Sequence, residues 1–483
     1  MPDPGPLPEA SPASSSGALL DQFLRVPESI RLEARGEYCL VVDPRRGVFD
    51  VLHPMEALLL SLLDGQTAIS TLAEMVGTIY RLPPGRADAL TTTALAKVRP
   101  FLEASATPTA GRRRFDPKAY LVPGYQEPPG RGRPFATPLA AILVPTWQCN
   151  FRCRYCYFGT DPQPATKLDR ATALRVIREA ADLGVVTLHL GGGEPLLYPH
   201  LAALVAAATE RGLLVSFSTN GSRLTEKKIQ ALRAAGLVSV QVSLDTALPA
   251  VHDALTQAPG TFPRVVAALR HLKAAGLYVR VRAVLTPETL TTVPELLDLL
   301  AILAVDEVEL GPVKCGSCEV AGAPAGDRLD PQALAALRRL VADRRGQFPA
   351  GRLRLADAET PWRSPAELIY CGNLTVSLVV HPTGRVSACE MIRYTPELCY
   401  GDIHDASLRD IWLGPRHRAL LAAATDSARI DPACARCPSL RYCRTGCMNR
   451  SRLATGSFWG KDPRCPGPEA MSPPEAGERG FPG

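Results

Sequence analysis

The sequence predicts an α/β protein, a partial (β/α)6 TIM-like barrel with a winged-helix-like domain before it and a cysteine-rich domain after it. Between residues 136 and 345 short apolar runs alternate with amphipathic helical stretches, the pattern of a parallel sheet with helical crossovers. Residues 26–108 instead hold a strand pair followed by helices, and residues 346–467 gather eight of the 14 cysteines. The 483-residue length suits two or three domains at roughly 100–200 residues each.

Residues 1–25 are rich in Pro and Ser, poor in apolar groups, and read as a disordered lead-in. In residues 26–108 the β-patterned runs Tyr38–Val42 and Val48–Leu52 flank the turn-rich Asp43-Pro44-Arg45-Arg46-Gly47. Pro54–Leu63 reads as a helix closed at Asp64-Gly65, where glycine takes the left-handed cap. Helical patterns follow at Ile69–Tyr80 and Ala87–Leu102. Residues 109–135 read as a solvated linker, basic through Arg112, Arg113, Arg114, Lys118, Arg131 and Arg133.

In the barrel, strands are predicted at Leu139–Thr146, Val186–Leu190, Leu213–Ser218, Val238–Leu244, Val279–Leu285 and Glu307–Leu310. Helices are predicted between them at Arg170–Leu183, Leu201–Arg211, Lys227–Ala235, Phe262–Ala275 and Val293–Leu303. Right-handed crossovers make this an open barrel, and residues 468–483 a disordered tail. Ligands of parallel barrels collect at the C-terminal ends of the strands. Chemistry-bearing residues fall there: Cys149 after the first strand, Gly192-Gly193-Glu194-Pro195 after the second, Thr219-Asn220-Gly221 after the third and Asp245 after the fourth.

Bulk composition excludes some functions. Hydrophobic residues make up 46% and charged ones 21%, as in ordinary soluble proteins. A net charge of +6 is too small to argue for nucleic acid. The first residues lack the basic-then-apolar order of a signal peptide. The longest apolar runs, such as Ala57–Leu63 and Leu139–Pro145, are too short to span a bilayer. The expectation is a cytoplasmic protein with neither a nucleic-acid nor a membrane partner. In that compartment grouped cysteines point to metal and not to disulfides.

The segment Cys149-Asn-Phe-Arg-Cys153-Arg-Tyr-Cys156 offers three thiolates, whereas a [4Fe–4S] cube has four irons. One iron is thus left to a ligand from outside. This CxxxCxxC loop, with Tyr155 before its last cysteine, and the Gly-Gly-Glu-Pro turn resemble the signatures of the radical SAM superfamily. The resemblance implies that Cys149, Cys153 and Cys156 hold a cube whose open iron chelates S-adenosylmethionine (SAM), which is cleaved to a 5′-deoxyadenosyl radical. It puts the SAM ammonium at Gly192, Gly193 and Pro195, with the charge of Glu194 nearby, and the ribose and methionyl groups at Asn220 and Ser243. Arg282 is placed to pair with the SAM carboxylate or with a carboxylate inside the barrel.

The C-terminal spacing, Cys371, Gly384-Arg-Val-Ser-Ala-Cys389, then Cys434-x2-Cys437-x5-Cys443-x3-Cys447-x17-Cys465, resembles the SPASM domain. That implies two auxiliary clusters, and three [4Fe–4S] clusters in all. Cys434, Cys437, Cys443 and Cys465 would hold the outer one, and Cys371, Cys389 and Cys447 the inner one. The inner cluster lacks a fourth ligand; either its iron is open, or Cys399, Cys315 or Cys318 completes it. Glu390, next to Cys389, stands where some SPASM relatives keep an acidic base. Cys39 reads as a small core residue.

Residues 26–108, through the strand–turn–strand and "HPMEALLLSLLDGQTAISTLAEMV", resemble the PqqD-like RiPP recognition element, which takes a leader peptide by adding it as a strand. The combined resemblance implies a radical SAM enzyme that modifies a ribosomally made precursor peptide and draws electrons from a ferredoxin or flavodoxin. A SPASM-type dehydrogenase or sulfatase-type maturase for a small molecule or folded protein is the enzymatic alternative. A non-catalytic peptide carrier is the other.

Overall fold

The computed structural model describes residues 23–82, 84–105, 107–109, 113–121, 135–158, 166–313, 331–349, 352–356, 374–392, 395–424, 426, 428–437, 445–463 and 465. The tail 468–483, most of the lead-in, and Cys315, Cys318, Cys371 and Cys443 lie outside the described residues.

Six parallel strands follow one another across the central sheet: β6 (Ala140–Leu143), β7 (Thr187–Leu190), β8 (Leu214–Thr219), β9 (Ser239–Ser243), β10 (Tyr278–Leu285) and β11 (Glu307–Pro312). All six coincide with predicted strands. In β10 the period-2 alternation is complete: Val279, Val281, Ala283 and Leu285 are buried against the helices, while Tyr278, Arg280, Arg282 and Val284 line the half-buried inner face. The covering helices Arg170–Asp182 and Glu226–Ala234 start at side-chain caps, where Asp169 accepts from Thr172 N and Thr225 from Lys228 N.

The sheet does not stop at residue 345. A seventh parallel strand, β12 (Leu353–Leu355), lies beside β11. On the opposite side β13 (Ser377–Val380) pairs parallel to β6, and β14 (Arg385–Ser387) and β15 (Cys399–Asp402) continue antiparallel. The C-terminal segment therefore extends the same ten-stranded sheet.

The N-terminal unit differs from its prediction in three places. Arg31–Arg35 is a strand (β2), so the sheet is three-stranded: β2, β3 (Tyr38–Asp43) and β4 (Val48–Leu52) in antiparallel order. Its charged sequence hid it, because only Leu32 is buried. The lead-in 1–25 ends early, since Phe23–Arg25 (β1) pairs with Glu103–Ser105 (β5) and Leu24 is buried. Part of the expected linker packs down as well. Tyr120 is buried against the helices of this unit, and the Arg114 guanidinium donates to the carbonyl of Ile30 at 3.1 Å. Helices Pro54–Leu62, Ile69–Tyr80 and Pro84–Val98 cover one face of the sheet, the first begun by a capping box between His53 and Glu56. Cys39 is buried in β3, as expected of a core residue.

The other face of that sheet docks on the central sheet. Leu40 and Val42 are buried with Leu139, Val186 and Leu214, which sit at or just before the starts of β6, β7 and β8. Arg46, at the β3–β4 turn, reaches Glu307, the first residue of β11, at 3.8 Å. Glu307 is 1% exposed and also takes Arg280 at 3.1 Å, the Tyr278 hydroxyl at 2.8 Å, and Arg354. Burial alone would raise its carboxyl, but Arg280 and Arg354 outweigh that and hold it at about 2.

Candidate active site at the cysteine loop

The loop begins at Thr146, which has no exposed surface. Its hydroxyl accepts from Gln148 N at 3.0 Å, and its carbonyl accepts from Gly193 N at 3.1 Å. Glu194 N then donates to the Gln148 carbonyl at 2.9 Å. This tight backbone pairing explains the glycines. A Cβ on Gly193 would strike the Trp147 and Gln148 carbonyls, and Gly192 has φ +107°, where only glycine is at ease.

The turns after β8 and β9 take hold of the same loop. Asn150 donates to the Ser222 hydroxyl at 3.0 Å, and Asn220 donates to Asn150 at 3.1 Å. The Tyr155 hydroxyl donates to Asp245 after β9, and Asp245 in turn accepts from Val284 N of β10 at 2.7 Å. Arg152 N and Arg154 N donate to the carbonyls of Thr256 and Leu255, at the end of a helix, Pro249–Thr256, that was not predicted. Its one signal was Pro249, which suits a first helical position. Tyr157 donates from the loop to Glu390, and a Cβ on Gly191 would come within 3.0 Å of the Glu390 carboxylate. The cysteine loop, the glycine turn, Asn220 and Glu390 are thereby gathered at one end of the sheet.

Some residues have roles that the sequence did not disclose. Glu194 is 1% exposed and accepts from Leu196 N at 3.1 Å, the Thr219 hydroxyl at 2.8 Å and Asn220 N at 2.8 Å. Its carboxylate therefore ties the turns after β7 and β8 together, while burial pushes its carboxyl above the usual range. Arg282 pairs with Glu309 at 3.1 Å, the second of the two partners expected for it, and stands beside Ser243 across the β9–β10 pair. Asp245, pushed up to about 6 by burial, was noticed only as a strand end. His189 binds Ser216 and Ser218, each at 2.9 Å, and burial lowers it to about 4, so it is a neutral hydrogen-bond hub at pH 7.

The C-terminal cysteines have an organiser of their own. Asp462, 2% exposed, accepts from Cys447 N at 2.8 Å and from Arg450 Nε at 3.0 Å, and its carbonyl accepts from Cys465 N at 2.9 Å. Cys437 N donates to the Cys434 carbonyl at 2.9 Å. Cys399 is buried, and its thiol donates to the Thr395 carbonyl.

The described thiols fall in groups, as iron–sulfur clusters require. Among the described residues no three His, Cys, Asp or Glu side chains are gathered closely enough to hold one metal ion. Yet Cys149, Cys153 and Cys156 lie within electrostatic reach of one another, and Cys437 and Cys465 each lie within reach of Cys434. A cube, with its separate corners, takes thiolates spread in this way. Backbone N–H groups of Phe151 and Met391 point at the sulfurs of Cys149 and Cys389, each at 3.4 Å, as suits a thiolate. Burial pushes the free Cys149 thiol up to about 11, so bound iron would have to draw off its proton. None of the ten described cysteines is in a disulfide.

Residues 143–300 match the radical SAM superfamily, and residues 371–438 match the iron-sulfur cluster-binding domain known as SPASM. The chain is a SAM-dependent radical enzyme. The PqqA peptide cyclase of Methylocella silvestris is 28% identical to it over 330 residues, which cover 68% of this chain and 87% of the cyclase. The mycofactocin maturase MftC of Mycobacterium tuberculosis is 28% identical over 345 residues, 68% of this chain and 84% of the maturase. Streptococcus suis SuiB, solved bound to its precursor peptide SuiA, shares the fold of this radical SAM enzyme. It has a TM-score of 0.61 at 17% identity, across 92% of this chain and all of SuiB. Among the described residues no helix is long and apolar enough to cross a membrane.

Proposed function

We propose that this enzyme matures a ribosomally made precursor peptide, forming a cross-link or another oxidised bond. The observation that carries the proposal is the convergence of the cysteine loop, the glycine turn and Glu390, which makes one site from the radical SAM and C-terminal segments. Similarity to a peptide cyclase and a peptide maturase supports the substrate class. When bound, the SAM-binding cluster and SAM supply a carbon radical able to take hydrogen from an unactivated carbon.

The remaining roles belong to this chain's own groups. Cys149, Cys153 and Cys156 hold the SAM cluster. Cys434, Cys437, Cys443 and Cys465 hold the outer auxiliary cluster, and Cys371, Cys389 and Cys447 the inner one, each a [4Fe–4S] cube. Gly192, Gly193 and Pro195 present backbone to the SAM ammonium, while Glu194 fixes that turn. Tyr155, Asn220, Ser243 and Arg282 would orient the rest of SAM, with Arg282 itself held by Glu309. Glu390, steadied by Tyr157, takes the proton released as the new bond forms, and the electron left over would pass to an auxiliary cluster held by the C-terminal cysteines. A ferredoxin or flavodoxin of the cytoplasm supplies the electrons.

Residues 26–108 act as a PqqD-like, winged-helix module that receives the leader as an added strand. At β4 that addition meets an occupied edge, because Val51 N donates to Asp50 at 2.7 Å and the Lys97 ammonium donates to the Val51 carbonyl at 2.6 Å. The test is calorimetry of the full chain with synthetic peptides encoded by short reading frames flanking its gene. One of them is expected to bind, and to lose most of its affinity when a proline removes a ladder donor from its bound strand. Binding by none of them would shift the substrate to a small molecule or a folded protein.

A further inference from the structure

The leader module and the reaction site lie at opposite ends of the barrel strands. Every contact that docks the module falls at a strand start. Leu139, Val186 and Leu214 meet Leu40 and Val42; a Cβ on Gly47 would touch Val238 and Ser239; Arg46 lies over the Tyr278 ring and reaches Glu307. Among the described residues the contacts that hold the cysteine loop fall past the strand ends, among them Gly193, Glu194, Asn220, Asp245 and Glu288. Between the two sets runs β10, eight residues from Tyr278 to Leu285. At about 3.3 Å per residue that is a height of about 26 Å.

The docking is fixed and not a loose tether. The apolar contacts are fully or nearly fully buried, and Glu307 leaves no exposed carboxylate to exchange partners. A peptide bound on the module must therefore climb the barrel before any of its residues meets the radical. Even a fully extended chain gains at most about 3.3–3.6 Å per residue.

We infer that the enzyme selects precursors by spacing: the modified residue must lie at least about seven or eight residues beyond the strand bound by the module. The inference rests on the leader-docking reading proposed above. It sets a minimum and no sharp maximum, since a longer flexible spacer loses effective concentration slowly, about threefold for each doubling of length.

The experiment uses the full chain with its clusters reconstituted, and the flanking-gene peptide with its leader and modified segment held constant. The spacer is shortened stepwise to about four residues, lengthened to about sixteen, and rewritten at native length in Gly and Ser. Calorimetry reads leader binding and mass spectrometry reads modification. Peptides with fewer than about six spacer residues are expected to bind with unchanged affinity yet lose modification at least about tenfold. The longer and rewritten spacers are expected to stay within about threefold of the parent. Equal modification of bound short-spacer peptides would overturn the inference while leaving leader docking intact. Loss of modification with the rewritten native-length spacer would overturn it too, in favour of sequence recognition. A leader that binds nowhere would remove both readings together.

Discussion

Replacing Cys149, Cys153 and Cys156 together with alanine is expected to abolish reductive cleavage of SAM while leaving the C-terminal clusters in place. This loop offers three thiolates where a cube needs four ligands, and it lies in the segment that matches the radical SAM superfamily, so the iron left for SAM is expected here. Cys447 and Cys465 are organised by Asp462, far along the chain from the loop. Reconstituted wild-type protein is expected to hold about twelve irons, three cubes of four, and the variant about eight. Iron analysis and chromatography of 5′-deoxyadenosine read both quantities on the same samples. A variant that still made 5′-deoxyadenosine would show the radical to arise elsewhere.

Replacing Glu307 with alanine is expected to cost about 3–5 kcal/mol of stability, the usual effect of removing one partner from a buried charge cluster. The loss leaves Arg46, Arg280 and Arg354 facing one another at the start of β11 without their shared carboxylate. It also weakens the seat of the N-terminal module, because Arg46 reaches Glu307 across that junction, while the buried apolar contacts remain. Thermal melting and limited proteolysis between the module and the barrel would both register it. The wild-type protein carries a matching pH dependence. A carboxyl held at about 2 in the folded chain, against roughly 4.3 when unfolded, gives stability that is complete above pH 5. That contribution falls away as the pH drops from about 4.3 toward 2, and the alanine variant should lack this part of the acid transition.

The sequence revealed what is local and repeated. Strands β6 to β11 could be read because apolar and polar residues alternate within each one, and the cysteine loop because its ligands are close in sequence. What stayed hidden depends on distant partners. No local pattern tells Ser377–Val380 to pair with Ala140–Leu143, yet that pairing carries the Cys389–Glu390 segment to the barrel. Glu307 and Arg46 look like surface charges in the sequence, because burial of an ion pair is decided by residues far away. Arg31–Arg35 looks like a loop because an edge strand needs only one buried side chain. The Tyr155–Asp245 and Tyr157–Glu390 pairs join segments about 90 and more than 200 residues apart, so spacing could not have shown them. Glu194 illustrates the opposite error: its place in the motif was plain, but its carboxylate serves the neighbouring turns.

The central claim is that a radical made at the cysteine loop acts on a peptide. Its most direct test follows hydrogen. The reduced, reconstituted enzyme is incubated with SAM and the flanking-gene peptide carrying deuterium on its side-chain and α carbons, and both products are analysed by mass spectrometry. Deuterium is expected in 5′-deoxyadenosine, in amounts that track the mass change of the peptide, and neither is expected without reductant. Production of 5′-deoxyadenosine free of deuterium, with an unchanged peptide, would contradict the account.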